Sequence, residues 1–265
     1  MPRLAHISDL HFGRITKDAA QLLLDDLHAA KPDYVLASGD LTQSARTVEF
    51  AEAAAFFAEA PGTLFVVPGN HDIPGWQMLR RMLNPYGRYR EHIQMEINPV
   101  HVASDIALVG FNTARRVVYH WNWAHGRISR SQFETLHGVA NAARDLPKIA
   151  MFHHPLIPPP PGASQKRVGR AERFAAALSG AGFHLALSGH LHHSRVTDVS
   201  TVYPGVAPGL YAVEAGTATS SRLRNQPNEY NLIDVTTAGA DIHVRSFDDG
   251  GFATRETISL PYQKK

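Results

Sequence analysis

Asp33-Tyr34-Val35-Leu36-Ala37-Ser38-Gly39-Asp40 and Leu64-Phe65-Val66-Val67-Pro68-Gly69-Asn70-His71-Asp72 decide the fold. Each is a short apolar run that stops at glycine and then presents polar side chains. A run of this length, bounded by turn residues, reads as a strand buried on both faces. Between the two, Val48 to Ala60 is rich in Ala and Phe and stops at Pro61-Gly62, which reads as a helix. Upstream, Leu4 to Ser8 is another apolar run and ends at Asp9-Leu10-His11. Ala19 to Ala30 carries leucines at helical spacing and ends before Lys31-Pro32. Strand, helix, strand, helix, strand with helix-length connections predicts parallel strands, because a parallel pair needs a long crossover. Ligands of open α/β sheets bind beyond the carboxyl ends of the strands, and Asp9, Asp40 and Asn70 all fall there.

The pattern recurs downstream. Lys148 to Phe152 is a strand ending at His153-His154-Pro155, and Phe183 to Leu187 is a strand ending at Gly189-His190-Leu191-His192. Val100 to Phe111 reads as a strand pair. Beyond Val196, Tyr211 to Glu214, Tyr230 to Val235, Asp241 to Phe247 and Thr254 to Leu260 read as strands with Gly-rich turns. Gly75 to Glu96 reads as mostly helical and basic, with Arg80 and Arg81 on a solvated face. Ser164 to Arg173 is a basic loop leading into a helix over Ala171 to Leu178. His6 and His184 lie inside apolar strands and read as core histidines with satisfied hydrogen bonds.

With 265 residues the chain can bury a sizeable core. Its formal net charge of +2 gives no strong electrostatic case for nucleic acid or an anionic membrane. It has no cysteine, which excludes disulfides and thiolate zinc sites. No apolar stretch is long enough to span a bilayer, and the first residues lack the apolar core of a signal peptide. The expectation is a soluble, cytoplasmic protein with no membrane partner and no nucleic-acid partner; a homo-oligomer stays open.

Read singly, Asp9, Gly39-Asp40 and Gly69-Asn70 are ordinary turn residues. Together with the two histidine blocks they supply carboxylate, amide and imidazole, the donors that hold hard-to-borderline divalent cations. Two such cations a few ångströms apart suit displacement at phosphorus. The order and spelling of these blocks, from about Leu4 to about Val196, resemble the calcineurin-like metallophosphoesterase superfamily. Within it they are most similar to the bacterial branch of cyclic-nucleotide and glycerol phosphodiesterases.

The resemblance implies an α/β fold, a four-layer α-β-β-α sandwich with two facing mixed β-sheets flanked by helices. It implies one metallophosphoesterase domain over residues 1–265, with C-terminal strands at about 209–262 completing the second sheet. It also implies two divalent metal ions. One would take Asp9, His11, Asp40 and His192, the other Asp40, Asn70, His153 and His190. His153 is chosen over His154 because the family's ligand is the first residue of His-x-Pro. Mn, Fe, Zn or Co all accept such a donor set. Two dications, offset by Asp9, Asp40 and a bridging hydroxide, leave one positive charge for an incoming phosphate.

The catalytic candidates are His71 and Asp72. In the family the residue at the His71 position protonates the leaving oxygen or binds a phosphoryl oxygen, and an imidazole suits proton transfer near neutral pH. Asp72 either orients His71 or caps the next turn, and the cap is preferred. His154 and His193 flank ligands and either support them or are exposed. Tyr119 to His125 is dense in flat rings. Trp121 and Trp123 there are candidates to stack on a nucleobase, and equally to pack a loop. His154 is a further substrate-binding candidate.

The expected reaction is hydrolysis of a small phosphodiester, a cyclic nucleotide or a glycerophosphodiester, by in-line attack of a metal-bridging hydroxide. A phosphomonoesterase, a nuclease and a metal-free interaction scaffold are the alternatives. Leu41-Thr42-Gln43 after Gly39-Asp40 lacks the Asp-Arg-Gly of serine/threonine phosphatases, and His71 stands where the lipid A pyrophosphohydrolases carry Arg.

Overall fold

Alternate residues of the apolar runs point to opposite faces, and the computed structural model shows what each face covers. It describes residues 1–117, 124–159, 167–223, 226–248 and 250–262. β1 (Arg3–Ile7), β2 (Tyr34–Ala37) and β3 (Thr63–Val66) are parallel neighbours. They are connected through α1 (Ala19–Ala30) and α2 (Thr47–Glu59). Two short helices follow, α3 (Met78–Leu83) and α4 (Gly87–His92). Then come β4 (Val100–Val102), β5 (Ala107–Phe111), α5 (Arg130–Ala142), β6 (Lys148–Phe152), α6 (Ala171–Gly180), β7 (Leu185–Ser188) and β8 (Arg195–Asp198). The chain closes with β9 (Tyr211–Glu214), β10 (Glu229–Val235), β11 (Gly239–Asp248) and β12 (Gly251–Pro261).

Two six-stranded mixed sheets result, β12-β11-β10-β1-β2-β3 and β4-β5-β6-β7-β9-β8. In the second, β5, β6, β7 and β9 are parallel, with β4 and β8 antiparallel at the edges. The strands expected at 209–262 divide between the sheets. β9 lies in the second, whereas β10 pairs antiparallel with β1 and carries β11 and β12 outward in the first. The physical reason is the open side of β1. Its outer backbone groups need partners, and β10 pairs with them.

Three apolar layers fill this α-β-β-α sandwich. Ala5, Ile7, Val35, Ala37 and Val66 pack with Leu23, Leu27, Phe50 and Phe56 of α1 and α2. Ala107, Val109, Phe111, Ala150 and Phe152 pack with Leu136 of α5 and Phe174 of α6. The other parity, Leu4, Leu36, Phe65, Leu108, Ile149, Met151, Leu185 and Leu187, fills the space between the sheets. Each fully buried aliphatic side chain there contributes about 1.5–3 kcal/mol. α5 starts as its sequence suggests. Ser129 Oγ accepts from the Gln132 amide, and Gln132 Oε1 accepts from the Ser129 amide, a reciprocal cap.

Two readings of single residues need correction. Arg81 is buried, not solvated: its guanidinium donates to the carbonyls of Pro74, Arg115 and Arg116. Backbone carbonyls replace the water a buried arginine would otherwise need. His184 is half-buried and stacked on Tyr262 at 4.1 Å, a rim residue rather than a core one. His6 is fully buried, with Nε2 3.0 Å from Ser38 Oγ. No helix among the described residues is long and apolar enough to cross a membrane.

Candidate metal centre

Five strand ends meet at one edge of the sandwich. β1 leads to Asp9 and His11, β2 to Asp40, β3 to Asn70 and His71, β6 to His153 and His154, and β7 to His190 and His192. The backbone turns sharply there. Asp9, His11, Asp40, His190 and His192 have φ of 53°, 51°, 52°, 72° and 61°, the left-handed region that non-glycine residues rarely occupy. Each such residue costs roughly 1–3 kcal/mol, and such residues concentrate at functional sites. The turns fold two neighbouring side chains of a strand end toward one point. Two glycines let the loops touch. A Cβ on Gly69 would overlap Asp40, and one on Gly189 would overlap Ser8 and Asp9.

The side chains group around two positions. In one, His11 Nε2 lies 3.2 Å from His192 Nε2, and His192 Nε2 lies 3.2 Å from Asp9 Oδ1. His11 Nε2 is 3.6 Å from Asp9 Oδ1 and 3.9 Å from Asp40 Oδ2. In the other, His153 Nε2 is 3.3 Å from Asp40 Oδ2, 3.1 Å from Asn70 Oδ1 and 3.2 Å from His190 Nδ1. Asp40 therefore reaches both groups. Its second oxygen accepts from the His71 amide at 2.8 Å, and Asp9 Oδ2 accepts from the His190 amide at 2.8 Å and from Ser8 Oγ at 2.7 Å.

The hydrogen bonds behind the rings show what the convergence is for. His153 Nδ1 donates to the Ser38 carbonyl (2.9 Å), and His192 Nδ1 donates to the Arg222 carbonyl (3.0 Å). A carbonyl only accepts, so in a neutral ring the Nε2 of each faces the site as a lone pair. Lone pairs aimed at carboxylate oxygens and at one another repel unless a cation or a proton lies between them. Asp9 Oδ1 and His190 Nε2 are buried without a hydrogen-bond partner. The clustered His and Asp residues fit a dinuclear divalent-metal site: within each of the triads Asp9-His11-His192, Asp9-Asp40-His153, His11-Asp40-His71 and His153-His154-His190 the ligand atoms lie within 4.8 Å of one another.

The electrostatics of these side chains point the same way. Burial alone would lower His153, but the charge and hydrogen bond of Asp40 outweigh it and push the ring up to about 9. A positive charge beside Asp40 is thus favoured. Burial would raise Asp40, yet the neighbouring His153 and His71 bring it below the ordinary carboxylate range. Asp9 is likewise held low by His192 and His11 against its burial. Burial and the His153 charge lower His190 to about 3.

All seven sequence-derived ligand candidates, Asp9, His11, Asp40, Asn70, His153, His190 and His192, are brought together. His71 stands beside them, its ring edge-on to His11 at 4.8 Å and its Nδ1 2.7 Å from the Gln43 carbonyl. Asp72 is engaged elsewhere. Its carboxylate accepts from the amides of Leu41, Thr42 and Gly69 and from Thr42 Oγ, so its bonds are those of a cap joining the β2 and β3 loops. Burial and the Asp40 charge raise it to about 6 despite those donors. His154 is fully buried rather than exposed, with Nδ1 2.8 Å from Thr113 Oγ, and it groups with His153 and His190. His193 is half-buried, outside these groups. Trp121 and Trp123 lie outside the described residues. The sequence reading missed Arg222, which carries no motif and reaches the site only through the fold, and it gave Gln43 no role in the site.

The sequence profile of the calcineurin-like phosphoesterases matches residues 2–194. No curated protein sequence matches the chain. Among solved structures it is similar to a dimetal phosphatase from Danio rerio, with a TM-score of 0.67 and 13% identity, over 99% of this chain and 100% of that one. It is similar to purple acid phosphatase PPD1 from yellow lupin, with a TM-score of 0.72 and 14% identity, over 98% of this chain and 53% of that one. GAP50, the anchor in the inner membrane complex of Plasmodium, is similar at a TM-score of 0.68 and 14% identity, over 100% of this chain and 90% of that one. At these identities the likeness is one of fold.

Proposed function

The chain belongs to the calcineurin-like phosphoesterases, and on that premise we propose that its 265 residues form a single-domain, metal-dependent phosphodiesterase acting on a small diester. Asp9, His11, Asp40 and His192 would hold one divalent cation, and Asp40, Asn70, His153 and His190 a second. Such a pair supplies charge stabilisation at phosphorus and a nucleophile active at neutral pH. The observation that carries the reading is the convergence of buried acceptor atoms on two positions that share Asp40. Nitrogen and oxygen donors of this mix accept Mn, Fe, Zn or Co.

The chain's own residues have separable tasks. Ser38 and Arg222 carbonyls orient His153 and His192. Asp72 fixes the distance between the Asp40 and Asn70 loops. His71, held at Nδ1 by the Gln43 carbonyl, would pass a proton to the departing alkoxide oxygen, or bind a phosphoryl oxygen, when its Nε2 is protonated as well. A monoesterase is the second reading, favoured by the fold likeness to two proteins described as phosphatases.

Hydrolysis of bis(p-nitrophenyl) phosphate against p-nitrophenyl phosphate, on chelator-stripped protein with Mn restored, separates the two. Metal-restored turnover that favours the diester is the expected result. A preference for the monoester moves the function to the second reading, and no turnover with any metal sinks both.

A further inference from the structure

An arginine beyond the family-matched span stands against the candidate catalytic histidine. The segment after β9 is fastened to the strand end that carries Asp9 and His11. Thr217 Oγ donates to the Asp9 carbonyl at 2.6 Å, and Thr219 Oγ donates to the Leu10 carbonyl at 2.7 Å. Asn228 Nδ2 donates to the carbonyls of Thr217 (3.2 Å) and Ser220 (2.9 Å). Thr217, Thr219 and Ser220 are buried. The segment is thus built into the site, and it delivers Arg222.

Arg222 meets the site in two ways. Its backbone carbonyl accepts from His192 Nδ1, and its guanidinium Nη1 lies 3.3 Å from His71 Nε2. Because His71 Nδ1 donates to Gln43, the neutral ring presents a lone pair at Nε2, and the guanidinium donates to it. No carboxylate pairs with Arg222 among the described residues, although Arg3, Arg46, Arg195, Arg245 and Arg255 each have one. A half-buried cation with one N–H on a neutral ring keeps further donors for a charged acceptor, and a planar fork of donors matches phosphate oxygens.

We propose that Arg222 is a substrate-binding residue that, beside His71, takes a non-bridging oxygen of the substrate's phosphoryl group. The proposal rests on the phosphoester reading but reaches past the matched residues 2–194, which do not include Arg222.

The test is inorganic phosphate binding by calorimetry to Mn-loaded wild type, Arg222→Ala and Arg222→Lys, with metal content measured on each. Wild-type metal content is expected in both variants, because the carbonyl that orients His192 is main chain. Phosphate Kd should weaken about tenfold or more in Arg222→Ala, the scale of a charge-assisted hydrogen bond. Arg222→Lys should fall between. Unchanged phosphate Kd in fully metallated Arg222→Ala overturns the proposal, and so does loss of metal in both variants, which would make Arg222 a support of the ligand loop. The phosphate measurement needs no turnover. Weakened phosphate binding in a protein that hydrolyses no ester would uphold this assignment while sinking the functional reading alone.

Discussion

The two sheets contribute different chemistry to the edge where they meet. The first supplies both carboxylates and the amide, Asp9, Asp40 and Asn70, with two rings, His11 and His71. The second supplies only rings, His153, His154, His190 and His192. Away from that edge the same pair of sheets is joined by Leu4, Leu36, Phe65, Ile149, Leu185 and Leu187, with no such asymmetry. The contrast teaches that one interface does two jobs. Its apolar middle holds the sheets at a fixed spacing, and its polar edge uses that spacing to set acceptor atoms from opposite sheets against one another. Such an edge is favourable only with a cation or proton inside it.

Breaking the oxygen side should have the largest effect. Asp40 reaches both groups, so Asp40→Ala is expected to abolish nearly all turnover and to lower metal content. Two retained metals with normal turnover would remove Asp40 from its shared position. His71→Ala leaves every candidate ligand in place. It should keep wild-type metal content while losing roughly 100- to 10,000-fold in rate, most for esters with poor leaving groups. An equal loss on activated aryl esters would point to binding rather than proton transfer.

Two smaller effects sharpen the contrast between edge and middle. Chelation should lower the thermal midpoint, because cations bind only the folded edge. At free metal a thousandfold above Kd, each site stabilises by about 4 kcal/mol. A midpoint indifferent to chelator would mean the edge holds no cation. His6 lies on the same strand face as Leu4, and burial pushes it down to about 3, opposed by Asp9. The unfolded chain therefore binds a proton near 6.5 that the folded chain refuses. The resulting stability is fully present above pH 6.5 and is lost as pH falls toward 3, about 2 kcal/mol of it by pH 5. His6→Gln should lose less stability than wild type between pH 7 and pH 5 in urea titrations; equal losses would contradict the assignment.

The strand ends were legible because each apolar run stops at residues whose chemistry is visible in sequence. Parallel order followed from helix-length gaps. What stayed hidden depends on distance or on backbone conformation. The left-handed φ at Asp9, His11, Asp40, His190 and His192 has no glycine to announce it. Arg81 looks like any charge on a basic helix until three carbonyls surround it. Arg222 sits 151 residues from His71, and nothing local marks it as a neighbour. The division of the C-terminal strands was hidden too, since the pairing of β10 with the open side of β1 is decided by the sheet and not by the strand.

The proposed reaction needs two cations at the sheet edge. Its most direct test is bis(p-nitrophenyl) phosphate turnover followed during stepwise Mn addition to chelator-stripped protein, with bound metal counted at each step. Turnover that stays low through the first equivalent and rises to a plateau at two per chain is the predicted result. A plateau at one, or turnover without metal, would contradict it.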